Sequence, residues 1–326
     1  MKENFLPILP ADVAGKKIAI AVSGGVDSMV LLDWFFRNVT SSELVVLHIE
    51  HGIRGAESCA DMEFVAKQCK KRGIEFFCKQ VDVPKFAKEQ KFSIETAARL
   101  LRRREFLDFD ADYIALAHHA DDNAESILMH ILRGTGLKGA CGMQAHGGGR
   151  IIRPFIKISR KQIEEYQCLR KVEFVEDLTN ADTMHTRNFI RHEVMPVIQK
   201  KYPQAVLAIN KFAENASDYY EHFDSFTTSK VKATTSGAII PIECKTDDRT
   251  VNHINIAKAL SFIGIRQDVE KVHYDSVASL WQKGSGKQVD LPHFATAKRT
   301  KAGIEFSIDV DKLREKNERV NNKKSD

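Results

Sequence analysis

The chain has 326 residues, 43% of them hydrophobic and 29% charged, with a formal net charge of +5. These are the proportions of a globular protein; they exclude a disordered chain, and the length favours two domains. No apolar run is long enough to span a bilayer, and Met1-Lys2-Glu3-Asn4-Phe5-Leu6-Pro7 is too short and too acidic for a secretory signal, so a cytoplasmic protein without a membrane partner is expected.

In chain order, Lys17 to Val22 reads as a buried strand ending in Ser23-Gly24-Gly25. Ser28 to Phe36 follows as a helix with Met29, Leu32 and Phe36 on one face. Leu44 to Ile49 is a second buried strand, and Glu57 to Lys71 a helix closed by Gly73. Ile74 to Val81 reads as strand, Ser93 to Leu107 as helix, and Tyr113 to Ala117 as a short apolar strand. Asp121 to Leu132 is a helix stopped at Gly134-Thr135-Gly136. Strands alternating with helices imply parallel βαβ units, hence an α/β fold with a doubly wound, mostly parallel sheet. Ligands bind such sheets at the carboxyl ends of strands, where both Ser23-Gly24-Gly25 and His118-His119 fall.

Beyond this α/β domain, assigned to 1–195, residues Phe189 to Phe223 are helical with a break at Tyr202-Pro203. The polar stretch Thr227 to Gly237 reads as a linker, so 196–235 is a helical region and linker. A smaller α+β domain at 236–310 contains a strand near Ala238 to Ile242, helices at Ile254 to Ile263 and Val269 to Gln282, and short strands to Ile308. The charged tail, 311–326, is expected to fray.

Cys59, Cys69, Cys78, Cys141, Cys168 and Cys244 form no C-x-x-C pair, which argues against a disulfide framework and against a zinc or iron–sulfur site. Basic residues cluster at Arg99, Arg102, Arg103 and Arg104 and again at Arg187 and Arg191, a pattern that admits a nucleic-acid partner.

Gly24-Gly25 allows a tight turn with open backbone N–H groups, the following helix adds its own, and Ser23 and Ser28 offer hydroxyl donors. This anion cradle is neither a Walker loop nor a dinucleotide fingerprint, since both glycine patterns are missing. Asp27 in its middle makes sense if a divalent cation arrives with the phosphates, because Mg²⁺ takes one or two carboxylates plus phosphate oxygens. A plain first-turn helix Asp explains the loop alone equally well.

Ser23-Gly24-Gly25-Val26-Asp27-Ser28 after a buried strand resembles the pyrophosphate loop of the N-type ATP pyrophosphatases, adenine nucleotide alpha hydrolase-like proteins that cleave ATP between its α and β phosphates. Further segments are similar to one branch, the tRNA(Ile)-lysidine synthetases: Leu47-His48-Ile49-Glu50-His51-Gly52-Ile53-Arg54-Gly55; His118-His119-Ala120-Asp121-Asp122-Asn123-Ala124-Glu125-Ser126, running on to Leu132-Arg133-Gly134-Thr135-Gly136-Leu137; Arg153-Pro154-Phe155; Glu176-Asp177-Leu178-Thr179-Asn180; and Thr186-Arg187-Asn188. The resemblance covers residues 17 to about 196. It implies that ATP adenylates the C2 oxygen of the wobble cytidine (position 34) in a CAU-anticodon tRNA(Ile), and that free L-lysine then displaces AMP to give lysidine.

For the site, the resemblance implies ATP at Ser23, Gly24, Gly25, Val26, Asp27, Ser28 and His51, with Mg²⁺ at Asp27 and Asp122. It makes Asp27, Arg99 and Asp122 catalytic; Arg99 matches the family's A-A-R motif, whereas Arg102-Arg103 stands where the family usually has Arg-Tyr. Asp121, Glu125, Arg133, Arg187, Asn188 and Arg191 are the substrate-binding set. Asp122 and Glu125, three apart, share a helix face suited to holding and deprotonating an amine, though either acid also suits a helix N-terminus. Adjacent histidines at a strand end point to opposite faces, so one of His118 and His119 is expected in the core and one in the cleft. Lys283, Lys287, His293, Lys298, Arg299 and Lys301 either grip the acceptor stem or form a solvated sheet face. The sequence leaves open whether the chain forms a homodimer. Rival readings are a tRNA thiolase, against which the missing C-x-x-C pairs count, and a non-catalytic ATP-sensing α/β module.

Overall fold

The computed structural model describes residues 5–52, 56–90, 92–146, 149–175, 186–227, 230–234, 237–265 and 269–309. Ile53-Arg54-Gly55, Glu176-Asp177-Leu178-Thr179-Asn180 and the tail at 311–326 lie outside the described residues. The chain divides into two units, Met1–Ser217 and Asp218–Asp326.

In the first unit the elements run β1 (Lys17–Ala21), α1 (Val26–Asn38), β2 (Glu43–Glu50), α2 (Ala56–Arg72), β3 (Glu75–Gln80), α3 (Val83–Gln90), α4 (Ile94–Asp108), β4 (Tyr113–Ala115), α5 (Ala120–Leu132), α6 (Leu137–Ala140), β5 (Ile151–Ile152) and α7 (Arg160–Arg170). After these come α8 (Thr186–Phe189), a π-helical turn (Ile190–Val194), α9 (Met195–Lys201) and α10 (Ala205–Thr227), within which the first unit ends. The five strands are all parallel in the order β3-β2-β1-β4-β5. The chain builds outward from β1 through β2 to β3 and then returns to β1's other side as β4. The β1–β4 junction is therefore the switch point at which an open α/β sheet leaves a crevice for ligands.

Alternation along β1 explains why helices cover both faces. Ile18 and Ile20 enter one core with Met29, Leu32 and Phe35 of α1, Val65 and Cys69 of α2, and Ile163 of α7. Ala19 turns to the opposite core with Val45, Leu47, Phe106, Phe109 and Ile114. Each fully buried large apolar side chain contributes about 1.5–3 kcal/mol, so the two cores fix the strand register on which the site is built. Asp33, only 2% exposed, joins three helices: it accepts from Arg37 Nε at 2.7 Å, from the Tyr166 hydroxyl at 3.2 Å and from Arg72 Nη2 at 3.3 Å.

The second unit contains β6 (Lys232–Thr234), β7 (Gly237–Pro241), α11 (Arg249–Phe262), α12 (Lys271–Ala278), β8 (Gln288–Leu291), β9 (Ala295–Arg299) and β10 (Gly303–Ile308). The sheet order is β6-β7-β10-β9-β8, antiparallel throughout, with Ile256, Leu260, Val277 and Trp281 packed on Ile240, Ala297, Ile304 and Phe306. The stretch read as a linker is corrected here. Lys232–Thr234 pairs with Gly237–Ile239 as an edge strand, which the sequence disguised because all three of its side chains are exposed. The structure also adds α3 and α7, which the pattern of apolar residues did not assign.

Candidate active site

The loop after β1 is braced by its own atoms. Gly24 adopts φ +101°, a conformation that glycine reaches at little cost and residues with a Cβ rarely adopt, and its carbonyl accepts from Val175 N–H at 3.0 Å. Helix α1 starts at Val26, two residues earlier than expected, with Gly25 as an N-cap that offers no side-chain acceptor. Its first-turn N–H groups and positive dipole end therefore face outward for an anion. Ser28 lines the cleft and also braces the loop. It is 6% exposed, its hydroxyl donates to the Gly25 carbonyl at 2.9 Å and accepts from Ser23 N–H at 3.2 Å, so its proton is committed to the loop. The exposed Ser23 hydroxyl lies 3.3 Å from the Ser28 hydroxyl and is hydrogen-bonded to it.

Asp27 projects from the first turn of α1 toward the end of β4. Burial, opposed by His119, Arg160 and Arg191, pushes its carboxyl above the ordinary value of 3.8. Among the described residues, its buried Oδ1 has no hydrogen-bond partner, and neither has the buried Nε2 of His119. His119, 1% exposed, is the N-cap of α5: its Nδ1 accepts from Asp122 N–H at 3.4 Å, and Asp122 Oδ2 accepts from His119 N–H at 3.2 Å. His118 lines the cleft, its Nδ1 accepting from Arg153 Nε at 3.3 Å. Burial, reinforced by Arg153, Arg187 and Arg102 against Asp122, lowers it from 6.5 to about 4. The two histidines thus part as strand geometry requires, yet the core-side ring reaches Asp27.

The acids and arginines form one network. Arg191 holds Glu125 with Nε at 2.7 Å from Oε1 and Nη2 at 2.8 Å from Oε2, and places the same Nη2 at 2.7 Å from Asp122 Oδ1. Arg187 adds Nε to Glu125 Oε2 at 3.3 Å and Nη2 to the Asp122 carbonyl at 3.1 Å. Both arginines flank the start of the π-helical turn, a distortion often found at functional sites. Burial alone would raise Asp122, but His119, Arg187, His118 and Arg191 hold it below 3.8, so it stays ionised.

These groups share one cleft of about 1310 Å³. Ser23, Gly25, Val26, Asp27, Ser28, His51, Arg99, Asp122, Arg133, Arg187 and Arg191 all line it. Three of the expected substrate residues are not among its lining. Glu125 is 4% exposed behind Arg191, Asp121 Oδ2 accepts from Arg160 N–H at 2.8 Å and so caps α7, and Asn188 lies on α8. A same-face argument places Glu125 beside Asp122, but only packing shows that the arginines stand between it and the open cleft. Arg160, on the wall facing Asp27, was missed because α7 itself was not assigned. The residues suit a cation that comes with phosphates: the Asp27 side chain is 29% exposed and, among the described residues, its Oδ1 accepts no hydrogen bond, whereas both Asp122 oxygens accept hydrogen bonds. Among the described residues no cluster of His, Cys, Asp and Glu could cage a metal unaided, and Cys69, Cys78, Cys168 and Cys244 are free thiols.

In the second unit, Arg299 stacks over Trp281 at 5.1 Å and donates to the Thr300 and Gly303 carbonyls, while Lys298 stands in register with Glu305. Of the basic residues read there as an RNA grip, Arg299 is therefore tied into the fold. No helix among the described residues is long and apolar enough to cross a membrane.

A parallel sheet with an uncapped, glycine-turned anion loop at its switch point defines a nucleotide-binding α/β unit of the pyrophosphate-loop class. Residues 2–198 match the PP-loop domain family, whose members bind ATP. The chain is 34% identical over 290 residues to tRNA(Ile)-lysidine synthase of Clostridium tetani, covering 85% of this chain and 62% of that one. With tRNA(Ile)-lysidine synthase of Clostridium perfringens it shares 31% identity over 321 residues, 94% of this chain and 68% of the relative. The chain thus belongs to the PP-loop family, in its tRNA(Ile)-lysidine synthase branch. It spans about three fifths of the length of the Clostridium tetani relative. Among solved structures, the U34-tRNA thiolase NcsA from Methanococcus maripaludis with its [4Fe-4S] cluster shares the fold, with a TM-score of 0.52 at 19% identity over 64% of this chain and 75% of that one.

Proposed function

We propose that this chain ligates free L-lysine to C2 of the wobble cytidine of a CAU-anticodon tRNA(Ile), using ATP. The observation that carries the reading is the opening of the PP-loop and the Asp122–Glu125–Arg187–Arg191 network into a single cleft from the two sides of the β1–β4 junction. An adenylating centre and an amine-handling centre must lie that close, because the same C2 atom serves both steps.

In the first step the cytidine C2 oxygen bonds to the α-phosphorus of ATP, the bond to the β-phosphate oxygen breaks, and pyrophosphate leaves. The first-turn N–H groups of α1 and the Ser23 hydroxyl receive the phosphate oxygens. A magnesium ion, when bound, would neutralise charge on those phosphates, and the partly exposed Asp27 carboxylate would hold it. Arg99 and Arg133, on the cleft wall, are placed to meet phosphate charge. In the second step the lysine ε-ammonium loses a proton to water, the freed amine nitrogen bonds to C2, the C2–O bond breaks, and AMP leaves. An ionised Asp122, held low by its cationic neighbours, suits it to hold the incoming ammonium better than to keep its proton. The arginine-rich lining, with Arg102, Arg103, Arg153 and Arg160 added to those above, suits an RNA backbone.

ATP–pyrophosphate exchange tests this directly. Exchange is expected only with CAU-anticodon tRNA, and lysine is expected to convert the intermediate to a product carrying the mass of one lysyl addition. Exchange indifferent to tRNA, or stimulation by sulfide in place of lysine, refutes it.

A further inference from the structure

His119 carries an inference that rests on the magnesium–ATP reading above and goes beyond it. As the N-cap of α5, its ring has a fixed orientation: Nδ1 accepts the Asp122 amide, so the neutral imidazole carries its proton on Nε2. That Nε2 is buried, has no hydrogen-bond partner among the described residues, and lies 3.4 Å from Asp122 Oδ2 and 3.8 Å from Asp27 Oδ2. The other Asp27 oxygen, Oδ1, is also buried and has no partner among them. A buried donor without an acceptor is costly, and here the nearest acceptors are two carboxylates from two different helices. Hydrogen bonds of this kind are often long before ligands bind and tighten afterwards.

We propose that His119 is a positioning residue: its Nε2–H holds the Oδ2 atoms of Asp27 and Asp122, and thereby fixes the partly exposed Asp27 carboxylate beside a divalent cation carried by the nucleotide phosphates. The ring touches neither nucleotide nor RNA. It links the PP-loop helix to the helix that bears the amine-handling acids, so the cation position is set from both sides of the switch point. Histidine is suited to this place because it caps α5 with one nitrogen and serves the carboxylates with the other.

Two substitutions separate those jobs. His119→Asn retains an oxygen that can cap α5 but has nothing at the Nε2 position, whereas His119→Gln places its amide nitrogen near Nε2 and gives up the cap. Calorimetric titration of ATP, without RNA, is repeated over a series of magnesium concentrations, and each variant's melting temperature is recorded. His119→Asn is expected to keep its melting temperature and metal-free ATP affinity while needing about 10- to 100-fold more magnesium for half-maximal binding. His119→Gln is expected to melt lower yet retain a magnesium requirement close to wild type. If His119→Asn has the wild-type magnesium requirement, or if both variants change only in melting temperature, the ring is a cap alone and the proposal is wrong. Should His119→Asn fail to fold, a His119→Gln chain with a raised magnesium requirement overturns the proposal by itself. Wild-type ATP binding indifferent to magnesium sinks the parent reading and this inference together; a wild-type magnesium response shared by His119→Asn sinks only the inference.

Discussion

Arg191 and Glu125 form a two-point fork, Nε to Oε1 at 2.7 Å and Nη2 to Oε2 at 2.8 Å, in which the carboxylate is 4% exposed. A guanidinium matches a carboxylate in this planar way and an ammonium does not. Arg191→Ala leaves Glu125 buried with Arg187 alone and is expected to cost about 3 kcal/mol in urea unfolding, with Arg191→Lys recovering only part of it. An Arg191→Ala chain as stable as wild type would show that the fork is dispensable for folding.

Asp27 makes the opposite prediction for stability. Burial raises its carboxyl above 3.8, so between 3.8 and that higher value the folded chain binds more protons than the unfolded one. Stability attributable to Asp27 is therefore lost as pH rises through that window. Asp27→Asn is expected to melt higher than wild type at pH 7 without metal, by about 2–4 °C for each kcal/mol relieved, with the difference closing below pH 4. The same variant is expected to lose adenylation. A lower melting temperature at pH 7 would mean that the carboxylate stabilises the fold.

His118 responds with the other sign. Its pKa is lowered from 6.5 to about 4, so between those values the unfolded chain binds a proton that the folded chain refuses. The stability it contributes is whole above pH 6.5 and is lost as pH falls toward 4, by about 1.4 kcal/mol per unit within that window. His118→Asn should flatten this limb in pH-dependent urea melts, and an unchanged slope would disprove the assignment.

Asp33 tests the scaffold away from the cleft. Asp33→Ala strips the shared acceptor from Arg37, Arg72 and Tyr166 and is expected to destabilise by about 2–3 kcal/mol, less than a fully buried pair because Arg37 is 44% exposed. ATP affinity measured below the unfolding transition should stay within about twofold of wild type; a larger loss would tie α7 to the site more tightly than its packing suggests.

How legible the site was depended on the range of the interactions. The PP-loop declares itself because strand, glycine turn and helix start follow one another between Lys17 and Ser28, and their geometry is local. The pairing of Asp122 with Glu125 was legible from helical spacing. What was misread depended on partners elsewhere in the chain. Thr227 to Gly237 reads as a linker because an exposed edge strand has no apolar alternation to betray it. Arg299 looked free until Trp281 was found beneath it.

The sequence alone determined the alternation of apolar strands and helices, and with it a parallel sheet with its ligand end at Ser23-Gly24-Gly25 and His118-His119, because backbone pairing and apolar burial act over short stretches. Only the tertiary structure decided that β4 lies beside β1, that His119 therefore stands between Asp27 and Asp122, and that Arg187 and Arg191 close over Glu125. Those relations join residues far apart in the chain, and their energy depends on burial and on distances of a few ångströms, neither of which exists until the sheet has brought the segments together.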